Sequence, residues 1–112
     1  MSFLSAIFGN KPQQNVSITV LSTNDFKSQI EGKKVQLIDV RTPNEYKSGH
    51  IKGAKNIDFF SIEFKDEFNK LNKGKPVYVY CRSGSRSRQT AKELALMGFK
   101  EIYDLKGGIL NY

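Results

Sequence analysis

Apolar residues along this chain fall into short runs separated by polar, glycine-containing breaks. Val16 to Leu21 reads as a first strand. Ser22, Thr23 and Asn24 then offer caps for a short helix from about Asp25, with Phe26 and Ile30 on one face. Glu31-Gly32-Lys33-Lys34 is a turn. Val35 to Val40 is apolar nearly throughout, as strands covered on both faces of a parallel sheet are. Pro43 and Asn44 open a turn or short helix carrying Glu45 and Tyr46. Asn56 to Phe59 is a brief third strand. Glu63 to Leu71 is a helix, with Phe64, Phe68 and Leu71 at i, i+4 and i+7. Pro76 leads into Val77-Tyr78-Val79-Tyr80, a β-branched and aromatic run that predicts a buried strand. From about Ser85 to Met97 the pattern is helical again. Ala91, Leu94 and Ala95 share one face, small enough for close packing on a sheet, and Gly98 is placed to end the helix. Phe99 to Leu105 is a last strand and Gly107-Gly108 a tight turn. Strands alternating with helices of this length predict an α/β domain with a mostly parallel sheet flanked by helices.

Composition narrows the picture. A chain of 112 residues suits one domain, expected over 16–112 and preceded by an apolar segment and linker over 1–15. In that segment Phe3, Leu4, Ile7 and Phe8 fall on one helical face. They are read as a turn packing on the domain rather than as a membrane contact. No stretch is long enough to span a bilayer and no signal-peptide pattern opens the chain, so a cytoplasmic protein is expected. The single cysteine excludes an intramolecular disulfide. The formal net charge is +7, but the lysines are scattered, so a solvated basic surface is expected and no nucleic-acid partner. Such a surface suits small anions through long-range steering. One histidine and one cysteine make no usual zinc set, and no phosphate-binding glycine motif occurs, so no metal and no cofactor are expected.

The chemistry concentrates at Cys81. It ends the predicted strand, and the next six residues, Arg82, Ser83, Gly84, Ser85, Arg86 and Ser87, carry no apolar side chain. A strand that ends at a thiol, turns through Ser and Gly and opens a helix surrounds the sulfur with backbone N–H groups. That arrangement receives anions and favours the charged form of the sulfur, with Arg82 and Arg86 adding positive charge. Cys81 is therefore the candidate nucleophile, and Arg82 to Ser87 the candidate binding loop. Asp39 and Arg41 straddle the carboxyl end of the second strand, where open α/β sheets bind ligands. With Glu45 they are read as holding the following loop by charge-assisted hydrogen bonds. His50 is likewise read as structural.

The stretch from Cys81 to Ser87 resembles the active-site loop of the single-domain rhodaneses, which are sulfurtransferases. Asp39-Val40-Arg41, Glu45-Tyr46, Gly49-His50-Ile51, Gly53-Ala54 and Asn56-Ile57 resemble a second signature of that family, and Leu105-Lys106-Gly107-Gly108 a third. The resemblance runs from about Ile18 to Tyr112. It implies a three-layer rhodanese-like domain, with a closing helix clipped at Tyr112. It also implies that no histidine base is needed. From Cys81 to Arg86 the loop has six residues, one fewer than in a related phosphatase family, whose wider cradle holds a phosphoryl group. The implied activity is transfer of sulfane sulfur from thiosulfate or a related small anionic donor, through a persulfide on Cys81, to cyanide, a thiol or a protein acceptor. A persulfide carrier serving a partner protein is the alternative.

Overall fold

A computed structural model describes residues 16–112. The one-faced apolar segment and linker expected over 1–15 lie outside the described residues.

Five strands form one sheet: β1 (Ser17–Leu21), β2 (Gln36–Asp39), β3 (Lys55–Asn56), β4 (Val77–Tyr80) and β5 (Glu101–Leu105). Their order is β1-β5-β4-β2-β3, and every pairing is parallel. Helices α1 (Thr23–Ile30), α2 (Pro43–Lys47), α3 (Phe64–Asn69) and α4 (Ser85–Leu96) connect them, and a 3₁₀ turn spans Ile109–Asn111. The apolar strands are covered on both faces. Val77, Val79 and Cys81 pack with Phe64, Phe68, Ala91, Leu94 and Ala95 on one side. Tyr78 and Tyr80 pack with Phe26, Ile30 and Ile51 on the other. This is the three-layer α/β architecture expected from the sequence.

Several boundaries move for identifiable reasons. The third strand ends at Asn56 rather than Phe59, because the Asp58 carboxylate accepts from the N–H of Phe60 and bends the chain into a turn. The last turn of α3 tightens: the N–H groups of Lys70 and Leu71 bond the carbonyls of Glu67 and Phe68, so the regular helix stops at Asn69. Phe99 belongs to the end of α4 rather than to β5. Its N–H reaches Leu94 O at 3.0 Å while that of Gly98 reaches Ala95 O at 3.2 Å, a Schellman closure that also buries Phe99 against Leu94. Where a clipped closing helix is expected, the chain has a 3₁₀ turn of three residues, Ile109–Asn111.

From β2 the chain moves outward to β3, then returns to place β4 on the other side of β2. The carboxyl ends of β2 and β4 therefore flank a topological switch point, the place where open parallel sheets take ligands. Cys81 and Arg41 emerge there.

Candidate active site

The residue after β4 is Cys81, and α4 begins four residues later. Gly84 turns the chain between them at φ +109°, a left-handed conformation that β-carbon-bearing residues rarely adopt. No side chain caps α4 in the ordinary way. The cysteine sulfur takes that place. Sγ accepts from the N–H of Gly84 at 3.1 Å and of Ser87 at 3.4 Å. The first-turn N–H groups of Ser85 and Arg86 have no intrahelical acceptor either, so the positive end of α4 converges on the sulfur. The Ser87 hydroxyl lies 3.5 Å from Sγ and donates to Gly84 O at 3.3 Å. Cys81 is 1% exposed and sits at the floor of the loop. Arg82, Ser83 and Ser85 are exposed around it, and Ser87 is buried beneath.

The loop is held from behind by the Gly107-Gly108 turn. The N–H groups of Ile109 and Leu110 donate to the carbonyls of Cys81 (2.9 Å) and Arg82 (3.2 Å). Gly108 has φ +69°, and a β-carbon there would collide with the backbone of Arg82 and Ser83. Gly108→Ala is therefore expected to displace the loop and lower stability by about 1–3 kcal/mol. Urea unfolding checks the stability, and the rate of Cys81 alkylation reports the loop; unchanged values for both would contradict the contact.

Arg86 does not stand free before the sulfur. Its guanidinium makes two bonds to the Glu45 carboxylate, at 2.8 and 3.1 Å, and passes over the Phe60 ring. It is half of an ion pair, and the Glu45 carboxylate raises its pKa against the opposing effect of burial. Glu45 closes a capping box with Thr42 at the start of α2 and also spans to α4. The Arg86 guanidinium, helped by Thr42, lowers the Glu45 carboxyl to about 2 even though burial opposes this. A depressed carboxyl pKa contributes stability that is complete above the unfolded value near 4.5 and is lost as pH falls toward about 2. For this partly exposed pair we expect about 1–2 kcal/mol to disappear across that window. Acid titration of the melting temperature in wild type and Glu45→Gln checks it; parallel curves would contradict it.

Asp39 and Arg41 meet as a buried pair. Both Asp39 oxygens accept from the guanidinium at 2.8–3.1 Å, and Oδ1 also takes the Arg41 N–H. Burial by itself would lower the Arg41 pKa, but Asp39 outweighs it and the net direction is up. Arg41 Nη2 also donates to Gly49 O at 2.6 Å, tying down the segment after α2. His50 is exposed, stacks on Tyr46 at 3.8 Å, and places Nδ1 2.9 Å from the Tyr46 carbonyl.

Two residues of this frame escaped the sequence reading. The Tyr80 hydroxyl accepts from Ile51 N at 3.0 Å, and burial raises its pKa strongly. Asn56 Nδ2 donates to the carbonyls of Asp39 and Arg41, both at 2.9 Å. The signal for Tyr80 was its place in the alternation with Tyr78, and for Asn56 its place in the Asn56-Ile57 pair of the second signature.

A parallel α/β domain whose one cysteine lies in a loop of amide donors, at the carboxyl end of a central strand, defines a class of proteins with a thiol held at a helix N-terminus. Comparison with known proteins narrows it. The rhodanese-like domain family matches residues 22–112, and the chain belongs to that family, a sulfur-transfer family. YqhL of Bacillus subtilis is 44% identical over 100 residues, covering 89% of this chain and 75% of that protein. A tRNA uridine(34) hydroxylase of Pelagibacter ubique is 42% identical over 74% of this chain, which spans only 28% of that enzyme. The putative sulfur carrier protein YrkF of Bacillus subtilis is 29% identical, covering 93% of this chain and 56% of its own length. Among solved structures, a rhodanese-like domain protein from Staphylococcus aureus superposes with a TM-score of 0.72 at 31% identity, over 82% of this chain and 88% of that one. No described helix is long and apolar enough to cross a membrane.

Proposed function

We propose that this protein is a sulfurtransferase that carries sulfane sulfur as a persulfide on Cys81. The observation that carries the reading is the pair of amide bonds onto Sγ at the first turn of α4. Such donors stabilise a negative sulfur without needing to reorganise. Cys81 loses its proton to solvent and, as thiolate, attacks the outer sulfur of thiosulfate. A new S–S bond forms, the S–S bond of thiosulfate breaks, and the electron pair leaves on sulfite. Cyanide or a thiolate then attacks the terminal sulfur of the persulfide and returns Cys81 to its starting state. The amides of Arg82 to Ser87 hold the negative terminal sulfur, and the exposed Arg82 draws in the anionic donor. With one cysteine in the chain, the acceptor comes from outside.

The carrier reading has its own support. The sulfur is nearly buried, exposed Phe60 and Leu110 lie near the loop, and YrkF is named a putative sulfur carrier. Steady-state assay with thiosulfate and cyanide separates the two. Continuous thiocyanate formation supports the enzyme; a single loading per chain with no turnover supports the carrier.

A further inference from the structure

The rim of the Cys81 loop carries more than the chemistry at the sulfur needs. Arg82 lies in the loop itself. The N–H of Arg88 donates to Gly84 O at 3.1 Å, so this arginine stands one helical turn beyond the glycine. Lys106 precedes Gly107, whose backbone nitrogen lies 3.5 Å from where a β-carbon on Gly84 would sit. All three cations are exposed, and none makes an ion pair among the described residues. Glu45 is held by Arg86, Asp58 accepts from the N–H of Phe60, and Asp104 is buried, so these acids leave the rim basic. Two large apolar side chains flank the same opening. Leu110, 59% exposed, is anchored by its N–H on Arg82 O, and Phe60, 68% exposed, has its ring 6.0 Å from the Arg86 guanidinium.

We propose that this rim docks an acidic, thiol-bearing segment of a partner protein, which is the sulfur acceptor. The inference rests on the reading of Cys81 as the sulfur-bearing nucleophile and adds the chemistry of the partner. The partner's thiolate attacks the terminal sulfur of the persulfide. A new S–S bond forms on the partner, the S–S bond to Cys81 breaks, and its electron pair stays on Sγ. A sulfur that is 1% exposed at the floor of a loop is reached by a thiol on a projecting segment, not by one on a flat surface. A small dianion has no use for Phe60 and Leu110. A segment with carboxylates spaced along it meets the three cations, while an apolar residue beside its cysteine packs on those two side chains. The charge also argues against other occupants. A second copy would bring the same cations and a net charge of +7 against +7. Nucleic acid matches the cations, but its phosphates leave Leu110 without an apolar partner.

The test uses the full chain and three short peptides, each with one cysteine carried as its mixed disulfide with thionitrobenzoate and a leucine on either side. Their outer positions are glutamates, lysines or serines. The Cys81 thiolate attacks the peptide sulfur, the S–S bond to thionitrobenzoate breaks, and the electron pair leaves on that group, whose absorbance gives the rate. No sulfane donor takes part, so the result is separate from persulfide formation, which tests the sulfurtransferase reading. Each rate is divided by that of mercaptoethanol with the same peptide, and peptides are compared within one protein, so a change in the sulfur itself cancels. At low salt the glutamate peptide is expected to react about tenfold faster than the lysine peptide, with the serine peptide between them and the spread shrinking as salt rises. Arg88→Glu combined with Lys106→Glu should reverse the order. Serines in place of the leucines should slow the glutamate peptide severalfold, and Leu110→Ser should shrink that difference. Equal rates for the three peptides, an order that survives the charge reversal, or a leucine effect unchanged in Leu110→Ser overturns the proposal. So does single-stranded poly(U) that competes with the glutamate peptide better than polyglutamate of equal charge, which would point to nucleic acid. A dimer in sedimentation whose formation slows the reaction would put a second copy on the rim and overturn it too.

Discussion

Cys81→Ala is expected to abolish sulfur transfer from thiosulfate to cyanide and to lower stability by about 1–3 kcal/mol. Both effects have one origin. Sγ is the acceptor for the N–H groups of Gly84 and Ser87, and alanine leaves those donors buried without a partner. Cys81→Ser separates the two. Its oxygen still accepts at the helix terminus, so most of the stability should return while activity does not. Thiocyanate formation and urea unfolding measured on the three proteins check this. Residual transfer in either variant would place the sulfur elsewhere, and an alanine variant as stable as wild type would mean that the amides have other acceptors.

The largest expected loss of stability comes from Asp39→Ala, about 3–5 kcal/mol. The substitution strands the Arg41 guanidinium, 6% exposed, with Gly49 O as its remaining partner. A buried charge without its counter-ion is far costlier than the pair is stabilising. The consequence spreads to the segment from α2 to Ile51, which Arg41 and Tyr80 hold against the sheet. Denaturant unfolding measures the loss, and a change below about 1 kcal/mol would show that the pair carries no such weight.

The architecture was legible because strands covered on both faces are apolar along nearly their whole length, as Val77–Tyr80 is and as Val35–Val40 is apart from Gln36 and Asp39. The loop was legible because Cys81 stands between such a strand and a helical pattern, where six polar residues have no packing purpose. What crosses between elements was not. Glu45 and Arg86 lie 41 residues apart, and no local pattern says that the start of α2 faces the start of α4. Arg86 therefore read only as positive charge added at the loop, and its pairing with Glu45 was not visible. Gly107-Gly108 read as a turn, but its need for glycine comes from the backbone of Arg82, a contact only the fold creates. The third strand was drawn too long because Ile57 and Phe59 are apolar; the Asp58 side chain decides the bend.

Intact mass after incubation with thiosulfate and removal of excess donor tests the central claim most directly. Wild type should gain the mass of one sulfur atom and lose it on adding cyanide, and Cys81→Ala should gain nothing. A wild type that gains no sulfur, or an alanine variant that does, would contradict a persulfide on Cys81.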